Sequence, residues 1–204
     1  LGAVLADVSG PVTVQKAGAA SAVPGAAQTA LDTGDVVRTG AGASAVIAFL
    51  DGSKMRVKEN SAFGVGAHSA KKVGVSIDVG TLQFWITKQA KKRRYTMRTP
   101  TAVASVRGTT GEVEVALNGE TSFSLFTGGL LIEDNRGNSV RLDPQQAVKA
   151  DDQTGLENAK VESLPPTKQP EPEPQVTPLP QPSPEPGTTP EPEPKPEPVR
   201  LKTR

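Results

Sequence analysis

From Leu1 to about Ala150 the apolar residues recur with a period of two, the spacing at which side chains share one face of a strand. Val12 and Val14 alternate with small or polar residues. Ala45, Ile47 and Phe49 form one face of a run whose other face is Val46, Ala48 and Leu50, which predicts a central strand covered on both sides. Met55 and Val57 follow, then Val73, Val75, Ile77 and Val79, then Leu82, Phe84 and Ile86. Val113, Val115 and Leu117 alternate with Glu112, Glu114 and Ala116. The pairs Phe123 and Leu125, Leu130 and Ile132, and Val140 and Leu142 close the series. Turn signals separate these runs: Gly34-Asp35, Gly40, Asp51-Gly52, Gly80, Asn118-Gly119, Gly128-Gly129 and Asn135-Arg136-Gly137-Asn138. No window of a dozen residues carries a 3.6 period. The Ala-rich piece from Ala19 to Ala30, broken by Pro24 and Gly25, reads as a loop. Many short strands at this spacing predict an all-β domain over about 1–150, built as a sandwich, barrel or short β-solenoid.

The pattern ends where the prolines begin. Fifteen of the 19 prolines lie at or after Pro165, in Glu-Pro and Lys-Pro pairs such as Glu171-Pro172-Glu173-Pro174, Glu191-Pro192-Glu193-Pro194 and Lys195-Pro196. Proline removes backbone donors and holds its neighbour extended. So few apolar residues bury too little to offset the entropy of ordering. The expectation is a connector over 151–164 and a disordered, polyproline-II-like tail over 165–204. At ~3.1 Å per residue its forty residues reach roughly 120 Å when extended. The tail reads as a spacer, or as a strut resembling in composition the proline-rich segment of TonB-type energy transducers.

Charge adds little globally: 23 basic and 22 acidic residues leave a net charge of +1. Such a chain has no overall field for nucleic acid or an anionic membrane. With 3% aromatic residues it has little to stack on bases, so nucleic acid is not an expected partner. There is no cysteine, which removes disulfides and thiolate metal sites. No run approaches the 18 apolar residues of a membrane span. The chain starts at Leu1 without a leader and reads as processed or cropped, with any signal peptide or anchor outside it.

In order, the β region carries Val8-Ser9-Gly10-Pro11-Val12-Thr13-Val14, then Leu31-Asp32-Thr33-Gly34-Asp35-Val36-Val37-Arg38-Thr39-Gly40, then Asp51-Gly52-Ser53. Behind these come Arg98-Thr99-Pro100-Thr101-Ala102-Val103-Ala104, Val106-Arg107-Gly108-Thr109, Phe126-Thr127-Gly128-Gly129 and Leu142-Asp143-Pro144-Gln145-Gln146. The ordered set, from about Val8 to Val148, resembles the FecR domain, an all-β extracytoplasmic module of bacteria. Two turn positions depart from the usual form: Phe126-Thr127 precedes Gly128 where an acidic residue is common, and Asp143-Pro144 stands where a Gly is common. Well-known members pass a signal from an outer-membrane transporter to a sigma factor, through a cytoplasmic segment and membrane span that are not visible here. The resemblance implies the module, in a periplasmic or secreted protein.

Gly34, Asp35, Thr39, Gly40, Asp51, Gly52, Thr99, Pro100, Gly108 and Thr109 read as turn scaffold, with Asp35 and Thr39 bonding backbone groups. Arg107, between Val106 and Gly108, reads as one half of an ion pair with Asp35 or Asp51. Lys88, Lys91, Lys92, Arg93, Arg94 and Arg98 form the strongest local charge cluster, at a hairpin. With Trp85, expected on the exposed side, Lys91, Lys92, Arg93 and Arg94 form the candidate partner-binding site; the bland alternative is a solvated hairpin tip.

Catalytic signals are thin. His68, the one histidine, sits in a loop-like stretch beside Ser69, without a nucleophile-elbow phrase or further ligands for zinc. Glu112 and Glu114 read as solvated outer-face residues. Gly64-Val65-Gly66 lacks the third glycine of a dinucleotide loop. The expected function is therefore non-catalytic: binding or scaffolding in the bacterial cell envelope through an envelope protein partner, without cofactor or metal. The alternatives are a signal-sensing module of a transporter and sigma-factor system, and a cell-wall glycan-binding protein.

Overall fold

A computed structural model of the chain describes residues 3–69, 72–88, 94–151 and 153–176. The strands in order are β1 (Ala3–Ser9), β2 (Val12–Gln15), β3 (Val23–Pro24), β4 (Thr29–Leu31), β5 (Val36–Thr39) and β6 (Ser44–Phe49). Next come β7 (Lys54–Val57), β8 (Ala62–His68), β9 (Lys72–Trp85), β10 (Arg94–Arg98), β11 (Ala102–Val106) and β12 (Thr110–Val115). The series ends with β13 (Thr121–Thr127), β14 (Leu130–Asp134), β15 (Ser139–Leu142), β16 (Gln146–Ala150) and β17 (Glu162–Ser163). The protein is all-β, as the period of two implies.

The strands form two layers around one core. The first sheet runs β4-β1-β6-β7-β9-β12-β13-β16-β17. The second runs β3-β2-β5-β8-β9-β10-β11-β14-β15. Strand β9 belongs to both: Val73 to Val79 pair in the second sheet and Gly80 to Trp85 in the first. The sequence reading placed a turn at Gly80 between two strands; it is instead a bend within one 14-residue strand. Its φ of +98° turns the chain from one layer to the other, a conformation glycine reaches at little cost.

Elsewhere the chain folds hairpins across the sandwich. β5 pairs with β8 in the second sheet while β6 and β7, lying between them in sequence, pair in the first. β11–β14 and β12–β13 repeat the arrangement. The glycine phrases sit at the corners. Gly40 N–H donates to Pro11 O at 2.9 Å, and Thr39 Oγ1 donates to Lys58 O at 2.5 Å and accepts from Ser61 N at 3.0 Å. The Gly108 and Gly128 corners stack so closely that a Cβ on Gly128 would lie 2.5 Å from Gly108 O.

Leu5, Leu31, Ile47, Phe63, Ile77, Phe84, Tyr95, Met97, Phe123 and Leu125 fill the space between the layers. The segment 151–164 joins this packing: Leu156 is in the core, and Leu164 N–H donates to Gln145 O at 2.8 Å. Two stretches read as loops contain strands. Within Ala19 to Ala30 lie β3, an edge strand that tolerates Pro24, and the start of β4. His68 ends β8, whose Phe63 and Val65 point inward while Gly64 and Gly66 point out. Those glycines suit a strand here because a Cβ on Gly64 would collide with Ser76.

Candidate functional site

The outward face of the first sheet carries a row of polar residues in register. Arg56 lies opposite Gln83, Gln83 opposite Glu112, and Glu112 opposite Ser124. Their neighbours along each strand point inward: Met55 and Val57 on β7, Leu82 and Phe84 on β9, Val113 on β12. Lys54 and Arg56 on β7 and Lys58 just past its end form a cationic ladder, two residues apart. Val46 and Ala48, the outward residues of β6, are also buried.

The C-terminal segment covers this face. Lys168 Nζ lies 3.2 Å from Glu112 and donates to Ser124 Oγ at 3.1 Å. Glu171 meets Lys58 and Arg56, each at 2.6 Å, and Glu173 meets Lys54 at 2.8 Å. Pro174 is buried. Residues 165–176, which the sequence reading assigned to a free tail, are thus laid across the sheet; 177–204 lie outside the described residues. The hydrogen bond from Lys58 holds the Glu171 carboxyl below its ordinary range, against a smaller opposing effect of burial, with Arg56 adding to the lowering.

Two earlier expectations change on this face. Glu112 is 9% exposed rather than solvated, because it receives Gln83 Nε2 at 2.9 Å beneath Lys168. Trp85 faces away from Phe84 and Ile86, as alternation requires, but is 8% exposed. The Arg56 guanidinium lies over its ring, 5.5 Å from the centroid.

Of the basic candidates, Arg94 lies away from Trp85. Arg94 and Arg98 project from β10 on the outer face of the second sheet, the opposite side of the sandwich. Lys91, Lys92 and Arg93 lie outside the described residues. Arg94 has Lys72 as its neighbour on parallel β9, and both are exposed. Like charges side by side on adjacent strands oppose pairing rather than help it. Among the described residues, Lys72, Arg94 and Arg98 have no carboxylate within ion-pair distance. Sequence reading missed Lys72, although its cross-strand position makes the patch.

The motif residues do structural chemistry. Asp35, 1% exposed, accepts from Asp32 N and Ala17 N at 2.9 Å and from Lys16 Nζ at 2.6 Å. Burial raises its pKa, but the Asp32 N–H, Lys16 and Ala17 together outweigh this and hold the carboxyl below its usual range. Asp51 accepts from Ser53 N at 3.0 Å across the turn that holds Gly52, and from Tyr95 Oη at 2.7 Å. The expected ion pair of Arg107 does not form with Asp35, which holds Lys16; Arg107 is exposed at its corner. Thr109 Oγ1 donates to Gly129 O at 3.1 Å there. Thr99, before Pro100, bonds Thr121 within a buried threonine trio completed by Thr101.

His68 Nδ1 donates to Gly66 O at 2.6 Å and its ring stacks on Phe49. That leaves Nδ1 engaged by backbone rather than by a carboxylate. Among the described residues no three His, Cys, Asp or Glu side chains come together as a metal site, and no helix is long and apolar enough to cross a membrane.

Residues 35–131 match the family described as FecR protein, inside the span over which the ordered phrases run. No curated protein matches the chain. Two crystal structures of a "putative anti-sigma factor" from Parabacteroides distasonis share the fold. Each superposes with a TM-score of 0.56 at 14% identity, covering 63% of this chain. This chain spans 59% of the length of those proteins, and at such identity the likeness is one of fold. The family match and the glycine corners it encloses agree: residues 35–131 of this chain match a FecR domain.

Proposed function

We propose that the chain is a non-catalytic protein-binding module of a bacterial envelope signalling system, in a periplasmic or secreted protein. The FecR domain and the shared fold with a "putative anti-sigma factor" support a regulatory role. The observation that carries the binding role is the Lys72, Arg94 and Arg98 patch. Adjacent like charges on exposed strands cost stability, so an acidic protein surface that neutralises them is the partner of fitting chemistry. The described C-terminal residues, up to 176, make their ion pairs on the other side. The basic residues between Thr87 and Arg94 extend the same charge along the sequence.

The test is affinity capture from a solubilised envelope extract, with the full chain and with Lys72→Glu/Arg94→Glu as baits. A defined envelope protein held by the first and lost from the second supports the proposal. The same protein held equally by both removes the patch from the interface. Recovery of wall glycan without protein replaces the proposal with glycan binding.

A further inference from the structure

The ladder on β7 and the segment seated on it share a spacing. Outward residues of a strand recur every ~6.6 Å. Alternate residues of a polyproline-II segment recur every ~6.2 Å. Lys54, Arg56 and Lys58 therefore meet Glu171 and Glu173 tooth for tooth, with the segment running opposite to β7. The prolines between the glutamates lack N–H donors, so side-chain charge and spacing make the match. Arg56 is held in place from below by Trp85, and Pro174 is buried beyond the last pair.

The same phrase occurs again. Glu191-Pro192-Glu193-Pro194 repeats Glu171-Pro172-Glu173-Pro174 residue for residue. We propose that the β7 ladder is a binding site for Glu-Pro-Glu-Pro segments and that Glu191–Pro194 is its second occupant, exchanging with Glu171–Pro174 on the same chain. Chain length permits it. From Leu164, the last residue bonded to the sheet through its backbone, the near copy begins 7 residues on and the far copy 27. Loop-closure entropy favours the near copy by a factor of about 8. The far copy is thus a minor occupant that becomes the main one when the near copy is neutralised. This site lies on the face opposite the Lys72 and Arg94 patch and does not depend on the envelope partner proposed above.

The experiment uses full-length chains and a fluorescein-labelled peptide of residues 189–196, read by fluorescence anisotropy at low salt. The chains are wild type, Glu171→Gln/Glu173→Gln, and a variant with Glu191→Gln/Glu193→Gln added. Peptide affinity is expected to rise at each step, at least threefold each time, as first one tethered competitor and then both are removed. Adding Lys54→Gln/Lys58→Gln to the last variant is expected to lower it at least tenfold. Coincident urea midpoints show that the chains compared are equally folded. Equal peptide affinity for the second and third chains overturns the exchange, since the far copy would then not occupy the ladder. Equal binding of a peptide with its glutamates adjacent overturns the spacing match, and no binding to the third chain overturns the site.

Discussion

Asp134 shows how much one carboxylate does in this fold. Its two oxygens accept from Leu156 N and Asn138 N at 2.8 Å, and from Asn138 Nδ2 and Arg136 N at 2.9 Å. Burial pushes its pKa up, but these four donors, Leu156 N first, lower it from 3.8 to about 2. A carboxyl lowered in the folded state stabilises above its unfolded value, and that contribution is lost as pH falls from about 4 through 2. The shift corresponds to about 2 kcal/mol. Asp134→Asn is expected to lower urea stability by about 2–3 kcal/mol at pH 7, with the gap from wild type closing as pH falls from 4 to 2. A gap that stays constant over that range would mean the charge is irrelevant. Asp35 was legible in the sequence because its partner Asp32 N belongs to the same turn phrase. Asp134 was not, because its most important donor, Leu156, comes from a segment that reads as a connector. Arg107 misled for the opposite reason: an Arg between apolar residues suggests a paired charge, and only the corner geometry shows it pointing to solvent.

At the scale of elements, alternation revealed strands but not the bends that carry them between layers. Gly80 reads as a turn because turns and bends draw on the same residue. A Cβ there would come within 2.5 Å of Ser61 Cα, in addition to the strain of a positive φ. Gly80→Ala is expected to cost at least about 2 kcal/mol in urea unfolding, whereas Gly137→Ala, where a Cβ meets nothing within 4 Å, costs about 1 kcal/mol from backbone strain alone. The C-terminal segment was illegible for another reason. Composition shows that Glu171–Pro174 cannot build a core, yet it does not show a ladder of matching spacing 115 residues earlier. Ion pairs at such partly exposed sites contribute about 0–1 kcal/mol each and are screened by salt. The segment should therefore detach at low cost while the sandwich stays folded. Trp85, the only tryptophan, reports this: about 1 M salt, or Glu171→Gln/Glu173→Gln at low salt, is expected to shift its emission to longer wavelength with far-UV circular dichroism unchanged. An emission maximum that moves only with unfolding would show that the cover does not open by itself.

For the whole molecule, the decisive element is β9. Two stacked sheets with separate cores of contact would be free to unfold one after the other. Here one strand holds β7 and β12 in the first sheet and β8 and β10 in the second, and the folded hairpins tie the layers again at every glycine corner. Neither sheet can lose its middle strand without opening the other, so the sandwich should unfold as one unit. The chain contains its own pair of reporters, with one Trp and one Tyr. Trp85 lies on the outer face of the first sheet, while Tyr95 is buried from the second and reaches across to Asp51 beside the β6–β7 turn. Second-derivative absorbance during urea unfolding separates the two signals, and both are expected to share one midpoint with far-UV circular dichroism. A Tyr95 transition that precedes that of Trp85 would show the second sheet opening first, and the shared strand would then be a hinge rather than a keystone. Because many pairings, β1–β6, β5–β8, β9–β12 and β11–β14 among them, join strands distant in sequence, refolding is expected in the millisecond-to-second range typical of such topologies. The same two signals should also recover together.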